Sequence, residues 1–249
     1  MSKETYGLVG YPLGHSFSRA YFTDKFERED IDAQYLNFEL SDIALLPIEI
    51  AKYPGLKGFN VTIPYKQDVF RYLNKLHPEA EKIGAVNVVK VETDGTLTGY
   101  NSDVYGFVES MRPLLEGYNH KKALVLGVGG ASRAVVHGLR TLGLEITRVS
   151  RREGAGDMTY SELSPRVLEA HTVIVNCTPL GMYPKTEDCP DIPYEAITSR
   201  HVCFDLVYNP LETLFMKRCA RQGACVSNGL RMLHLQAERA WQIWQEDNL

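Results

Sequence analysis

The chain has 249 residues, 44% of them hydrophobic and 23% charged, and a net charge of −4. That length buries a proper core in one or two domains, and the mild acidity speaks against nucleic-acid binding, which selects basic surfaces. The five cysteines form no Cys-x-x-Cys pair and lack zinc-spaced histidines, so reduced thiols and no metal site are expected. No apolar run has the length of a bilayer span or the place of a secretory leader, which predicts a soluble, cytoplasmic protein with no membrane partner.

Strand-like and helix-like segments alternate from the start, the pattern of an α/β protein with largely parallel sheets. Residues 6–9 read as the first strand, and the loop from Gly10 to Ser18 leads into a helix carrying Tyr21, Phe22 and Phe26, with Ser18 placed to cap it. Ser16 and Ser18, beyond the carboxyl end of a strand, either donate together to one carboxylate or serve as a solvated hydroxyl and a cap. Residues 35–39 form a second strand, 42–52 a helix with Pro47 near its first turn, and 59–63 a third strand. Asn60 and Thr62 share a face of that strand, because side chains alternate. Lys66, just past Pro64, is expected to start a helix, either as a surface charge or as a catalytic group. Segments 86–92 and 96–100 make a hairpin turning at Asp94-Gly95, with Asn87 at its start. Asn101-Ser102-Asp103 then opens a helix over 104–115, where Asp103 is a cap or an acid with a role in chemistry.

Residues 121–134 are the most telling stretch. Ala123 to Leu126 is a strand buried on both faces, and Gly127, Gly129, Gly130 and Ala131 carry the turn into a helix whose N-terminus suits a pyrophosphate. Ser132 stands where that fingerprint has Gly or Ala. Further strands are predicted at 146–150, 172–176, 202–206 and 224–227. The strand after the glycine-rich helix ends in Ser150-Arg151-Arg152 rather than in an acid for a ribose hydroxyl. Two guanidiniums suit a 2′-phosphate, which predicts NADP rather than NAD. A final helix over 230–245 carries Met232, Leu233, Ala237, Ala240, Trp241 and Trp244 on a face too apolar for water, so it is expected to pack back on the first domain.

In order and spacing, Gly10–Ser18, Gly58–Lys66, Gly84-Ala85-Val86-Asn87, Asn101-Ser102-Asp103, Asn176–Met182, Asp205–Pro210 and Asn228–Ala237 together resemble the motifs of the shikimate dehydrogenase family over almost the whole chain. The resemblance implies an N-terminal α/β substrate domain, residues 1–101 completed by about 230–249, and a Rossmann-like, doubly wound NADP-binding domain over 102–229. It implies reversible reduction of 3-dehydroshikimate to shikimate in aromatic amino-acid (chorismate) biosynthesis, by a monomer or homodimer. Ser16 and Ser18 would hold the substrate carboxylate, Asn60, Thr62, Asn87, Asp103 and Gln236 its hydroxyls, and Tyr208 the carboxylate end. Lys66 and Asp103 would move the proton. Thr178, Gly229 and Met232 would join Arg151 at the cofactor, the last two shaping the nicotinamide pocket. Arg19 replaces the family's usual proline, Ser102 its threonine, and Ser150 its asparagine before the cofactor arginine. A quinate/shikimate dehydrogenase of broader specificity and a non-catalytic dinucleotide-binding sensor are the alternative readings; retention of Lys66 and Asp103, which no fold requires, speaks against the sensor.

Overall fold

In the computed structural model, which describes residues 3–14 and 17–246, the chain divides into two units, Met1–Ser102 with Ala237–Leu249, and Asp103–Gln236. The first contains β1 (Glu4–Gly10), α1 (Phe17–Arg28), β2 (Ala33–Glu39), α2 (Leu46–Ile50), β3 (Leu56–Val61), β4 (Lys75–Leu76), α3 (Pro78–Ile83), β5 (Val88–Val91) and β6 (Leu97–Tyr100). Its six strands run in the order β2-β1-β3-β5-β6-β4. β1 is parallel to β2 and β3, while β3, β5 and β6 are antiparallel in turn. Alternation along β1 sends Val9 into one cluster with Phe38 and Phe59, and Tyr6 and Leu8 into the other with Phe22 and Phe26. The sheet is thus covered on both faces, each buried phenylalanine contributing about 1.5–3 kcal/mol.

The second unit contains α4 (Asp103–Met111), β7 (Lys122–Leu126), α5 (Gly130–Thr141), β8 (Glu145–Ser150), β9 (Met158–Thr159), α6 (Pro165–Ala170), β10 (Val173–Asn176), β11 (Val202–Asp205), α7 (Leu214–Arg221), β12 (Cys225–Ser227) and the start of α8 (Leu230–Gln245). All its strands are parallel, in the order β12-β11-β10-β7-β8-β9. The chain winds one way from β7 to β8 and the other way from β10 to β11, so the strand order reverses between β7 and β10. Open α/β sheets bind ligands beyond the carboxyl ends at such a reversal. The later part of α8 belongs to the first unit, where Ala237, Ala240, Ile243 and Trp244 complete the cluster around Tyr6 and Phe22.

Three local expectations are corrected. The segment 42–52 is a 3₁₀ turn, Ile43–Leu45, followed by α2, because Pro47 resets the helix start. The helix predicted over 104–115 ends at Met111, and a 3₁₀ turn follows at Arg112–Leu114, since Pro113 lacks the N–H that an α-helix would use there. Lys66 does not begin a helix: it lies in a turn before the 3₁₀ helix Asp68–Tyr72, and its carbonyl accepts from the Val86 N–H at 2.8 Å. No helix among the described residues is long and apolar enough to cross a membrane.

Candidate active site

In the first unit the polar candidates gather at the carboxyl ends of β1 and β3. Gly10 closes β1, and the Thr62 N–H donates to Val9 O at 2.9 Å, joining the two strand ends. The loop beyond β1 is tied to β2 through the Leu13 N–H, which donates to the Glu39 carboxylate at 3.2 Å. Ser16 lies outside the described residues. Ser18 is not the helix cap, because α1 already begins at Phe17; it lies half-buried in the first turn. Tyr35 donates to Asn60 Oδ1 at 2.7 Å, and Asn60 Nδ2 donates to the Asn87 carbonyl at 3.2 Å.

Asn87 is itself a clamp. Its Nδ2 donates to Ser102 Oγ at 3.0 Å, and its Oδ1 accepts from the Ser102 N–H at 2.7 Å. Asn101 Nδ2 donates to Ala85 O at 2.9 Å, so both residues before Asp103 are pinned to the segment that precedes β5. Ser102 is fully buried, which suits a serine in place of the bulkier threonine of the resemblance. Thr62 and Lys66 are half-buried, and Asp103 is buried at the first turn of α4.

The second unit builds its site from backbone. Gly127 sits at φ +104°, a conformation that favours glycine, and its N–H donates to Val149 O at 2.8 Å. Gly129 is the N-cap of α5 with no side chain to fill the position, and a Cβ at Gly129 or Gly130 would meet only open space. Helix N-terminal N–H groups facing an open cradle fit a dinucleotide's pyrophosphate. Ala131 lies exposed in the same first turn. Ser132 is turned the other way, buried, its hydroxyl donating to Gly129 O at 2.7 Å, so the departure from the fingerprint braces the loop.

β8 pairs with β7 and ends at Ser150, whose buried hydroxyl accepts from the Arg152 N–H at 3.1 Å. Arg151 and Arg152 are exposed on the turn that follows. The base of that turn is closed by Arg148 and Asp157, a two-point ion pair at 3.0 and 2.8 Å that holds the Asp157 carboxyl below its ordinary range. Neither residue was singled out from the sequence, although an Arg and an Asp bracketing a short basic turn are a legible signal.

Beyond β10 and β11 a buried carboxylate organises the loops. Asp205, fully buried, accepts from Asn176 Nδ2 at 3.0 Å, the Val207 N–H at 3.0 Å and the Thr213 hydroxyl at 2.6 Å. Burial pushes its pKa up to about 6, against the pull of those donors. Asn176 Oδ1 in turn accepts from the backbone N–H and hydroxyl of Thr178 at 3.0 and 2.6 Å. Gly229 lies so close to Leu206 that a Cβ would stand 2.2 Å from its carbonyl oxygen. Tyr208 is exposed, Met232 is packed in the core with Phe107 and Phe204, and Gln236 is half-buried with its backbone against Gly106. Among the described residues, no group of three or more His, Cys, Asp or Glu is placed to hold a metal ion.

A doubly wound parallel sheet, with a glycine turn at the strand reversal and a basic turn on the next strand, defines a dinucleotide-binding α/β protein. Residues 8–89 match the family model described as the shikimate dehydrogenase substrate binding domain. A shikimate dehydrogenase (NADP(+)) of Clostridium beijerinckii is 38% identical over 99% of this chain and 93% of its own length. Among solved structures, a chorismate mutase/shikimate 5-dehydrogenase fusion protein from Clostridium acetobutylicum matches at 35% identity with a TM-score of 0.88, covering 100% of this chain and 93% of that one. Shikimate 5-dehydrogenase from Thermus thermophilus, in complex with NADP(H) and shikimate, matches at 30% identity and TM-score 0.84, covering 97% and 93%. The chain belongs to the shikimate dehydrogenase family.

Proposed function

We propose that the protein is an NADP-dependent shikimate dehydrogenase that reduces 3-dehydroshikimate to shikimate reversibly, in the cytoplasm, on the route to chorismate and the aromatic amino acids. The observation that carries this reading is the full-length likeness to the Thermus thermophilus enzyme, whose complex holds NADP(H) and shikimate. The residues fit the cofactor: the open Gly129–Gly130 cradle would take the pyrophosphate, and Arg151 with Arg152 the 2′-phosphate. Bound NADP supplies or accepts the hydride. Residues 1–101 with about 230–249 form the substrate domain, and 102–229 the cofactor domain.

The chain's own groups then divide the work. Ser16 and Ser18 bind the carboxylate with Tyr208 at the same end, while Asn60, Thr62, Asn87 and Gln236 orient the ring hydroxyls. Reducing a ketone requires a proton at the carbonyl oxygen; Lys66 donates it and polarises the C=O, and Asp103 orients the lysine and the hydroxyl. Thr178, Gly229 and Met232 shape the cofactor side. Five free thiols suit a reducing compartment. Following the absorbance of reduced nicotinamide with shikimate and with quinate, each offered with NADP and with NAD, tests the assignment. Turnover should be fastest with shikimate and NADP. Turnover with no pair would return the sensor reading, and equal turnover of quinate the broader one.

A further inference from the structure

Asp205 closes β11, and its carboxylate has no part in the proton transfer set out above. It is fully buried, as are Asn176 and Thr213, two of the residues whose side chains donate to it. Burying a carboxylate is costly unless donors meet its oxygens. Here three do, from three segments: Asn176 at the end of β10, the Val207 N–H just past β11, and Thr213 at the N-cap of α7.

Two of those segments lead to the cofactor cradle. An ionised carboxylate only accepts, so Asn176 gives it Nδ2 and turns Oδ1 toward Thr178. The Thr178 hydroxyl donates its proton to that oxygen and accepts from the Leu180 N–H at 3.3 Å, which holds the side chain at two points. Its methyl then faces the phosphate turn, where a Cβ at Gly127 would stand 3.1 Å from Thr178 Cγ2. On the other side, the residue whose N–H donates to Asp205 also receives Gly229: the Gly229 N–H donates to Val207 O at 3.3 Å, and Gly229 packs against the preceding Leu206 carbonyl. Asp205 thus reaches both ends of the cradle through its neighbours.

We propose that Asp205 is a positioning residue for the cofactor, one carboxylate that braces the pyrophosphate turn through Asn176 and Thr178 and the Gly229 wall through Val207. This rests on the assignment of the Gly127–Gly130 turn and Gly229 to NADP. The 2′-phosphate end lies outside the brace, because Arg151 and Arg152 follow β8, which pairs with β7 on the edge away from β10. A carboxylate that only held the unit together would, when lost, weaken every part of the cofactor alike. A brace confined to the pyrophosphate and nicotinamide ends spares adenosine 2′-phosphate, which contains neither.

Calorimetric titration of the full chain with NADP and with adenosine 2′-phosphate separates the two cases. Asp205→Ala should raise the Kd of NADP about tenfold and that of adenosine 2′-phosphate less than about twofold. Asp205→Asn keeps an oxygen to accept from Asn176 and Val207, so its Kd for NADP should stay within about threefold of the parent's. An unchanged Kd for NADP in a folded Asp205→Ala, an equal loss for both ligands, or an asparagine variant as weak as the alanine one overturns the brace. Melting curves show which variants fold. If Asp205→Ala does not, Asn176→Ala cuts the path to Thr178 alone: weaker NADP beside intact adenosine 2′-phosphate binding supports the brace, and an equal loss or none overturns it. Because binding rather than turnover is read, failure of the shikimate assignment leaves this test standing, whereas a parent that binds no NADP overturns the cofactor reading and the brace with it.

Discussion

The two units solve recognition by different means. In the first, neutral residues far apart in sequence, Tyr35, Asn60, Asn87 and Ser102, are joined hydrogen bond to hydrogen bond, by way of the Asn87 carbonyl as well as side chains, and their identity carries the information. The second relies on backbone, the Gly127–Gly130 turn and the close approach at Gly229, with the buried carboxylate of Asp205 setting the loops beyond β10 and β11. A network of amides and hydroxyls does not titrate near neutral pH, whereas a buried acid does. The amide and hydroxyl network of the first unit should therefore be sensitive to substitution and indifferent to acidity, and the loops around Asp205 should respond to both.

The loss of Lys66 should have the largest effect. Lys66→Ala is expected to lower kcat on the order of 10²-fold or more with KM little changed and the thermal midpoint nearly preserved, since a proton donor acts in the transition state. Steady-state kinetics beside a melting curve check this; a folded variant with near-normal kcat would return Lys66 to the surface. On the other side, Arg151→Ala should reduce kcat/KM for NADP by about 10–100-fold and leave NAD nearly unaffected, the size of a charge-assisted bond to phosphate. An unchanged NADP to NAD ratio would refute the assignment.

Asp205 gives the comparison a pH axis. Its folded pKa is raised to about 6 from an ordinary 3.8. An acid of that kind contributes stability that is fully present below the unfolded pKa and is lost as pH rises through the folded one, here between about 4 and 6 and amounting to about 3 kcal/mol. Asp205→Asn should flatten that part of the stability curve, measured by denaturant unfolding across the range. His120 works in the opposite sense: burial, then the nearby His201, lower its pKa, so its contribution is present above the unfolded pKa and is lost as pH falls through the folded one. The asparagine variant should leave that acid limb intact, and a variant whose curve between about 4 and 6 keeps the parent's slope would show that Asp205 is not the group responsible.

The smallest effect is expected at the Arg148–Asp157 pair, whose side chains are 44% and 42% exposed. An exposed pair is worth about 0–1 kcal/mol, so Asp157→Asn should barely move the melting temperature. It should still raise KM for NADP by a few fold, through a looser basic turn, and leave KM for shikimate alone. A shift in shikimate KM would mean that the ion pair does more than close that turn.

Much of this was legible because buried parallel strands and glycine turns write themselves into sequence. The run Ala123–Leu126 followed by Gly127 and Gly129 became β7 and the open cradle of α5, and Asp94-Gly95 became the turn between β5 and β6. Tyr35 was not legible as the partner of Asn60, because a tyrosine among Phe22, Phe26 and Trp244 reads as core and the acceptor of its hydroxyl lies 25 residues away. Ser18 was read as a cap because a serine ahead of the aromatic run Tyr21, Phe22 and Phe26 marks a helix start, whereas α1 begins one residue earlier, at Phe17. Lys66 was expected on a helix because Pro64 suggests one, while the bond from Val86 that holds its carbonyl is set by a segment 20 residues on. What escapes a sequence reading here is long-range hydrogen bonding by ordinary residues.

The first unit is interrupted: its core takes Ala237, Ala240, Ile243 and Trp244 from α8, and the Trp244 indole donates to Val89 O at 3.0 Å. For a chain made from its N-terminus, Tyr6, Phe22 and Tyr35 therefore leave the ribosome long before the residues that cover them. The second unit, continuous from Asp103 to Gln236, has its whole sequence first. At about 5–20 residues per second, the nascent chain carries an uncovered aromatic face for roughly 7–30 seconds between Ser102 and Ala237. Emergence of Ala237 to Trp244, rather than of the first hundred residues, is the event that closes it.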